Sequence, residues 1–216
     1  MKPVSIVLFL FAACSAADLA AVFSGSRKAE RLTKPLLMPL LLLFYLLSAQ
    51  NPEPLIAAAL VFGFLGDTFL LGSDDFFLCG LVSFLFGHIC YLTAFLRPLS
   101  LCALPPVFLL SAFLLCLLFS VAAGLHLFPF IERILRPAAA LYMAALLSMS
   151  FSAFLRCSSV VGYRFWLPFL GSLFFVASDT MLAYRAFRKK GGRFSRMAGM
   201  AVYLLAQAMI VFGFLP

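Results

Sequence analysis

Three aspartates interrupt long apolar stretches of this sequence: Asp18, Asp67 and Asp179. Each lies a few residues before its apolar stretch ends. At a rise of about 1.5 Å per residue, all three are therefore expected about 6 to 9 Å inside the same end of their helices. Two buried carboxyl groups can act as a general acid and a general base, because one can keep its proton while the other is ionised. Asp67 and Asp179 are the candidate catalytic pair.

The elements that must position these residues follow from composition. The chain has 216 residues, of which 65% are hydrophobic and 11% are charged, and 27 are Phe. A soluble domain of this length could not bury so many apolar side chains, whereas a bilayer accommodates them in spans of about 20 residues. A soluble enzyme and a nucleic-acid-binding protein are excluded, and membrane lipids are the expected surroundings.

Hydropathy and the positions of charged, Pro and Gly residues predict an all-α, polytopic membrane bundle of about eight helices, forming a single domain over residues 1–216. The predicted spans are Pro3–Phe23, Pro35–Ala49, Leu55–Leu71, Phe76–Leu96, Leu99–Ala122, Ile134–Leu155, Phe165–Tyr184 and Met197–Leu215. Six scattered Cys residues form no CxxC pair and are expected to be small apolar helix residues.

The basic residues predict the orientation of the bundle. If the loops alternate between two sides, the side with the N-terminus holds Lys2, Arg97, Arg156 and Arg164, and the other side holds the remaining twelve of the 16 Lys and Arg residues. The positive-inside rule then places the richer side in the cytoplasm and both termini outside it or in a lumen. The carboxylates are then expected near the cytoplasmic face of a bacterial cytoplasmic membrane or of the endoplasmic reticulum.

Further polar residues lie near the carboxylates, and each has two open interpretations. Lys34 and Arg136, which open predicted helices 2 and 6, are either ordinary anchors or cations of a site. His88 and Tyr91 share one face of predicted helix 4 and either pack between helices or line a pocket. Asp74 and Asp75 fit a solvated turn that caps a helix. For Asp18, a structural and a functional role are equally open.

Two short patterns recur four helices apart. Lys34-Pro35 precedes GDTFLL around Asp67, and Arg136-Pro137 precedes SDTMLA around Asp179. An even number of spans in each half predicts two four-helix halves related as a parallel repeat, with a site between them.

Several blocks of the sequence resemble the YhhN-like family of integral membrane proteins, whose characterised members are lysoplasmalogenases. The blocks are TKPLLMPLLL from Thr33, GFLGDTFLL from Gly63, GLVSFLFGHICYLTAF from Gly80, RPAAALYMAALLSMS from Arg136, FLGSLFFVASDTMLA from Phe169 and YLLAQAMI from Tyr203. The resemblance implies a compact bundle of about eight helices. It also implies hydrolysis of the vinyl ether bond of alkenyl lysophospholipids to a fatty aldehyde and a glycerophospho-headgroup compound.

The resemblance also implies roles for individual residues. The paired aspartates of the family fall on Asp67 and Asp179, and Lys34, His88 and Tyr91 occupy motif positions. Vinyl ether hydrolysis needs an acid for the alkene carbon and an anion for the oxocarbenium ion, which two carboxyl groups can supply. The expected substrate-binding residues are Lys34, His88, Tyr91, Arg136 and Asp18. Lys34 and Arg136 are expected to bind the phosphate of the headgroup, whereas Asp18 lies outside the blocks that resemble the family.

Other mechanisms find no support in the sequence. It has no GxSxG elbow, no HExxH motif and none of the usual metal-ligand spacings, so neither a metal nor another cofactor is expected. The alternative function is a small proton-coupled transporter or channel, since intramembrane Asp and His residues also form proton relays. That function would need access from both sides, whereas the carboxylates lie near one.

Overall fold

A computed structural model describes residues 3–72, 76–97, 105–188 and 191–216. This part of the chain contains no strands, and eight long α-helices follow one another. They are α1 (Pro3–Ser24), α2 (Arg27–Ser48), α3 (Pro54–Leu70), α4 (Phe77–Leu96), α5 (Pro106–Leu127), α6 (Arg136–Leu155), α7 (Tyr163–Arg188) and α8 (Arg193–Phe212). The all-α prediction is confirmed, and Asp74 and Asp75 lie outside the described residues.

The helices have the dimensions and surfaces of a multi-pass membrane protein. Within the described residues, six helical segments are long and apolar enough to cross a bilayer, and α3 is a shorter apolar helix of 17 residues. Large apolar side chains such as Phe9, Leu118 and Trp166 are exposed on the outside of the bundle, as expected where lipid is the solvent. The number of eight spans and the repeat of two halves stay predictions.

The predicted start of the second helix is wrong. The helix α2 begins at Arg27, so Lys34 lies two turns inside it and does not open it. Hydropathy misses these two turns because they are rich in charge, yet they face neighbouring helices: Glu30 is buried and forms an ion pair with Arg196, 2.9 Å away. Pro35 lies inside the helix, which membrane helices tolerate when their neighbours satisfy the freed backbone groups.

Close packing joins the helices that carry the candidate residues. A Cβ atom on Gly66 of α3 would lie 2.8 Å from the ring of Phe84 in α4, and one on Gly171 of α7 would lie 2.9 Å from the carbonyl oxygen of Ala206 in α8. The hydroxyl of Ser178 also donates to the carbonyl oxygen of Gly199 at 3.0 Å. Membrane helices commonly associate through small residues, which allow close approach, and through interhelical hydrogen bonds. Such contacts pack α3 against α4 and α7 against α8.

The carboxylates lie toward one end of the bundle, called here the carboxylate end, where α1 turns into α2 through Gly25 and where α7 is followed by α8. Asp18, Asp67 and Asp179 are 0%, 2% and 9% exposed. The opposite end is formed by the end of α2, the connection from α6 to α7 and the last residues after α8.

Candidate active site

Asp179 lies at the centre of a buried hydrogen-bonded group from three helices. Its Oδ2 accepts a hydrogen bond of 2.5 Å from the Tyr142 hydroxyl of α6 and lies 3.0 Å from Nε2 of His88 in α4. The same nitrogen is 3.1 Å from the Tyr142 oxygen. The ring of Phe175 meets the imidazole edge-on at a centroid distance of 4.9 Å, which excludes water from that side. The carboxyl group is therefore held in one orientation from its inner side.

Asp67 lies in a second group, which contains a cation. Nζ of Lys34 is 3.6 Å from its Oδ1, and the Tyr203 hydroxyl of α8 donates to its Oδ2 at 2.9 Å. The Tyr203 oxygen accepts a hydrogen bond from Nε2 of Gln207 at 3.4 Å, and the side-chain oxygen Oε1 of Gln207 accepts one from the Tyr91 hydroxyl. A continuous chain of hydrogen bonds thus runs from Asp67 into the apolar interior.

A glycine makes room for this chain. A Cβ atom on Gly63 would lie 3.3 Å from both Nε2 of Gln207 and the Tyr203 hydroxyl. The GFLG stretch before Asp67 therefore leaves space for polar groups of α8 to reach the carboxylate.

One cavity of about 550 Å³ contains both catalytic candidates. Its charged lining residues are Arg27, Glu30, Lys34, Asp67, Asp179, Arg185 and Arg196. Two ion pairs, Lys34 with Asp67 and Arg196 with Glu30, neutralise four of these groups. Arg27 and Arg185 then exceed the one remaining carboxyl group, so the cavity suits a ligand that carries an anionic group.

The guanidinium group of Arg185 is fitted into the wall of this cavity. Its Nη1 donates to the carbonyl oxygen of Ser195 at 2.7 Å, which ties the end of α7 to the start of α8. A Cβ atom on Gly199 would lie only 2.7 Å from that nitrogen. Glycine at this position therefore leaves the space that the guanidinium group occupies.

A second, smaller pocket meets the cavity at Asp179. Its lining is almost entirely apolar, with side chains from α4 to α7 that include Leu81, Met143 and Val176. Asp179, Phe77 and Leu182 line both spaces, and Tyr142 lines the apolar one. The carboxyl group of Asp179 thus lies where a basic, polar space borders an apolar one.

The structure brings some of the predicted site residues together and leaves others apart. Lys34 contacts Asp67, and His88 contacts Asp179. Tyr91 does not contact Asp67 directly but is connected to it by the hydrogen bonds of Gln207 and Tyr203. Asp18 is absent from the cavity lining and accepts a hydrogen bond of 2.7 Å from Thr33.

Arg136 lies away from both aspartates. Its Nε donates to the carbonyl oxygen of Ile131 at 3.1 Å, and its side chain lines a separate groove between α5 and α6. The expected partnership of Lys34 and Arg136 at one phosphate is therefore not what this geometry favours.

The sequence did not predict five residues of the site: Arg27, Tyr142, Arg185, Tyr203 and Gln207. The hydroxyl and amide groups of three of them stand in otherwise apolar stretches, a signal that was available because unpartnered polar groups are costly there. The sequence predicts Arg27 and Arg185 only as basic residues of the cytoplasmic side. Among the described residues, no group of three or more His, Cys, Asp or Glu side chains is arranged to hold a metal ion.

The partners of the two aspartates follow a common scheme. Asp67 of α3 contacts α2 and α8, and Asp179 of α7 contacts α6 and α4. Each aspartate thus meets the helix before its own and the fourth helix of the other half, which is the pattern that a parallel repeat would give.

Comparison with known proteins identifies a family for this chain. No curated protein and no solved structure matches the chain. The sequence model of the YhhN family, however, matches residues 29–214, a range that includes both aspartates and all of their hydrogen-bonding and ion-pair partners. Because this match extends over far more than half of the sequence, the chain belongs to the YhhN family.

Proposed function

We propose that this protein is a lysoplasmalogenase-like hydrolase that cleaves the vinyl ether bond of alkenyl lysophospholipids. Membership of the YhhN family is consistent with a hydrolase of this kind. The observation that carries the proposal is the position of Asp179, which lines both the basic cavity and the apolar pocket. In an alkenyl lysophospholipid, the vinyl ether likewise joins a polar headgroup to an apolar chain.

The two spaces suggest how the substrate lies. The glycerophospho group occupies the basic cavity, with its phosphate on Arg185 and Arg27, and the first carbons of the chain enter the apolar pocket beside Tyr142. A guanidinium group binds phosphate well because its N–H groups form a planar fork that matches two phosphate oxygens. The vinyl ether carbons then lie against Asp179.

The proposed reaction begins with proton transfer from the Asp179 carboxyl group to the alkene carbon that is not bonded to oxygen. The neighbouring carbon becomes an oxocarbenium ion, to which a water molecule adds. The resulting hemiacetal collapses, the bond to the glycerol oxygen breaks, and that oxygen leaves as an alcohol. Water is consumed, the products are an aldehyde and an alcohol, and the proton lost from water restores Asp179.

Asp67 takes the second role in this scheme, as the carboxylate that stabilises the cation and orients the water. Its partners suit this role, since Lys34 and Tyr203 fix the carboxylate from two sides. His88 and Tyr142 are positioning residues, because they hold the Asp179 oxygen at hydrogen-bonding distance. General acid catalysis and preorganised charge each supply about 10² to 10⁴-fold in such reactions.

The test is aldehyde release by purified, detergent-solubilised protein. An alkenyl lysophospholipid is expected to yield a fatty aldehyde, and the saturated alkyl ether of the same chain and headgroup is expected to yield none, because it has no alkene carbon to protonate. No aldehyde from protein that unfolds cooperatively, or equal cleavage of both ethers, would contradict the proposal.

A further inference from the structure

A buried arginine at the opposite end of the bundle has no acidic partner. Arg156 follows the last residue of α6 and is only 4% exposed. Among the described residues, Arg156 belongs to none of the ion pairs. At the same end, Arg97 has its carboxylate partner in Glu53. Because a buried charge without a counter-ion destabilises the fold, a bound anion would stabilise this position.

The contacts of Arg156 fix its guanidinium group without neutralising it. The group stacks on the ring of Phe214 at 4.3 Å and lies 5.6 Å from the centre of the Phe95 ring. Its Nη2 donates to the carbonyl oxygen of Arg164 at 3.4 Å, and its Nε has no partner among the described residues. Aromatic faces and one carbonyl hold the plane of the guanidinium group, yet they leave most of its hydrogen-bonding capacity unused.

A cavity of about 330 Å³ opens beside this group. The polar side chains of its lining are those of Gln50, Asn51, Arg156 and Arg164, and no Asp or Glu side chain contributes to it. Residues 213–216 also contribute to the lining. The two guanidinium groups only donate hydrogen bonds, and each side-chain amide can donate through its NH2 group. The lining therefore matches an oxyanion with several acceptor oxygens.

We propose that this cavity binds a phosphate oxyanion, as carried by a phospholipid headgroup or by free phosphate. The cavity lies where α2, α6 and α8 end, the level at which headgroups of the adjacent leaflet are found. Arg156 and Arg164 hold the phosphate oxygens, and Gln50 and Asn51 add neutral donors. This site lies at the other end of the bundle from Asp67 and Asp179 and is independent of the proposed reaction.

Thermal unfolding of the purified, delipidated full chain tests the site. Dioctanoyl phosphatidylglycerol is expected to raise Tm, whereas dioctanoyl glycerol, which lacks the phosphate, is not. Inorganic phosphate separates the two sources: a similar rise indicates that the anion alone suffices, and no rise indicates that the lipid must carry it. In Arg156→Gln, the apparent Kd for the effective ligand is expected to increase at least about tenfold.

Three further variants make the result specific. Arg164→Gln changes an exposed side chain of the same cavity and should also weaken the response, even if Arg156→Gln does not fold. Arg97→Gln, at the same end but outside the cavity, should leave it intact. Because the carboxylate-end cavity is also basic, the response is measured in an Arg185→Gln background as well, where it should persist and should be lost when Arg156→Gln is added. The proposal is overturned if Arg156→Gln lowers Tm equally with and without ligand, since that is a purely structural role, or if only Arg185→Gln abolishes the response.

Discussion

Replacement of either Asp67 or Asp179 by Asn is expected to lower kcat for vinyl ether hydrolysis by at least about 10³-fold. Asn has nearly the same shape and still accepts hydrogen bonds from Tyr203 or Tyr142, but it can neither give up a proton to carbon nor supply the negative charge that stabilises an oxocarbenium ion. The measurement is aldehyde release under saturating substrate, with Tm of each variant recorded in parallel.

Asp18→Asn is the matched control for this pair. Asp18 is equally buried near the same end of the bundle, but it bonds to Thr33 and does not line the cavity. Its replacement is expected to change kcat by less than tenfold. Activity within tenfold of wild type in Asp67→Asn or Asp179→Asn would refute the paired-carboxyl mechanism, and a large loss in Asp18→Asn would mean that general damage to the bundle explains all three.

Arg185→Gln is expected to raise KM for an alkenyl lysophospholipid by about 10- to 100-fold and to change kcat much less. A charge-assisted hydrogen bond to phosphate contributes about 1.5 to 3 kcal/mol to binding, and this bond is equally present in the ground state and the transition state. Steady-state kinetics of aldehyde release separate the two parameters.

Two controls assign this effect to the phosphate. Arg136→Gln should leave KM unchanged, because Arg136 lies on a separate groove. An alkenyl glycerol that lacks the phosphate should show the same KM in wild type and in Arg185→Gln. A KM effect of Arg136→Gln as large as that of Arg185→Gln would instead restore the original expectation that Lys34 and Arg136 bind the headgroup.

The order of the helices was predictable because apolar length is a strong signal. The ends of α1, α3 and α4 differ from the predicted spans by at most one residue, since charges, prolines or glycines flank them. The start of α2 was not predictable by hydropathy, because its charged first turns are buried through Glu30 and Arg196 instead of being solvated.

The carboxylates of the site were also readable from sequence, but most of their partners were not. Ionisable residues within apolar stretches are easily recognised, and this is how the sequence indicates Asp67, Asp179, Lys34 and His88. Tyr142 and Tyr203 resemble ordinary core residues in the sequence, and only the fold brings Tyr142 to Asp179 and Tyr203 to Asp67. Periodicity gives the face of a helix, whereas the identity of the facing helix depends on packing at positions such as Gly63, which a single sequence does not reveal.

The central claim is that the alkene carbon that is not bonded to oxygen is protonated, by Asp179. Water then adds to the neighbouring alkene carbon, which is bonded to oxygen. Turnover of an alkenyl lysophospholipid in water enriched in oxygen-18, followed by mass spectrometry of the glycerophospho product, tests it most directly. This alcohol does not exchange its oxygen with water, unlike the aldehyde. The mechanism predicts an alcohol without oxygen-18, because the bond between the alkenyl carbon and oxygen breaks. Oxygen-18 in the alcohol would mean that water attacks the glycerol carbon, and it would contradict the mechanism.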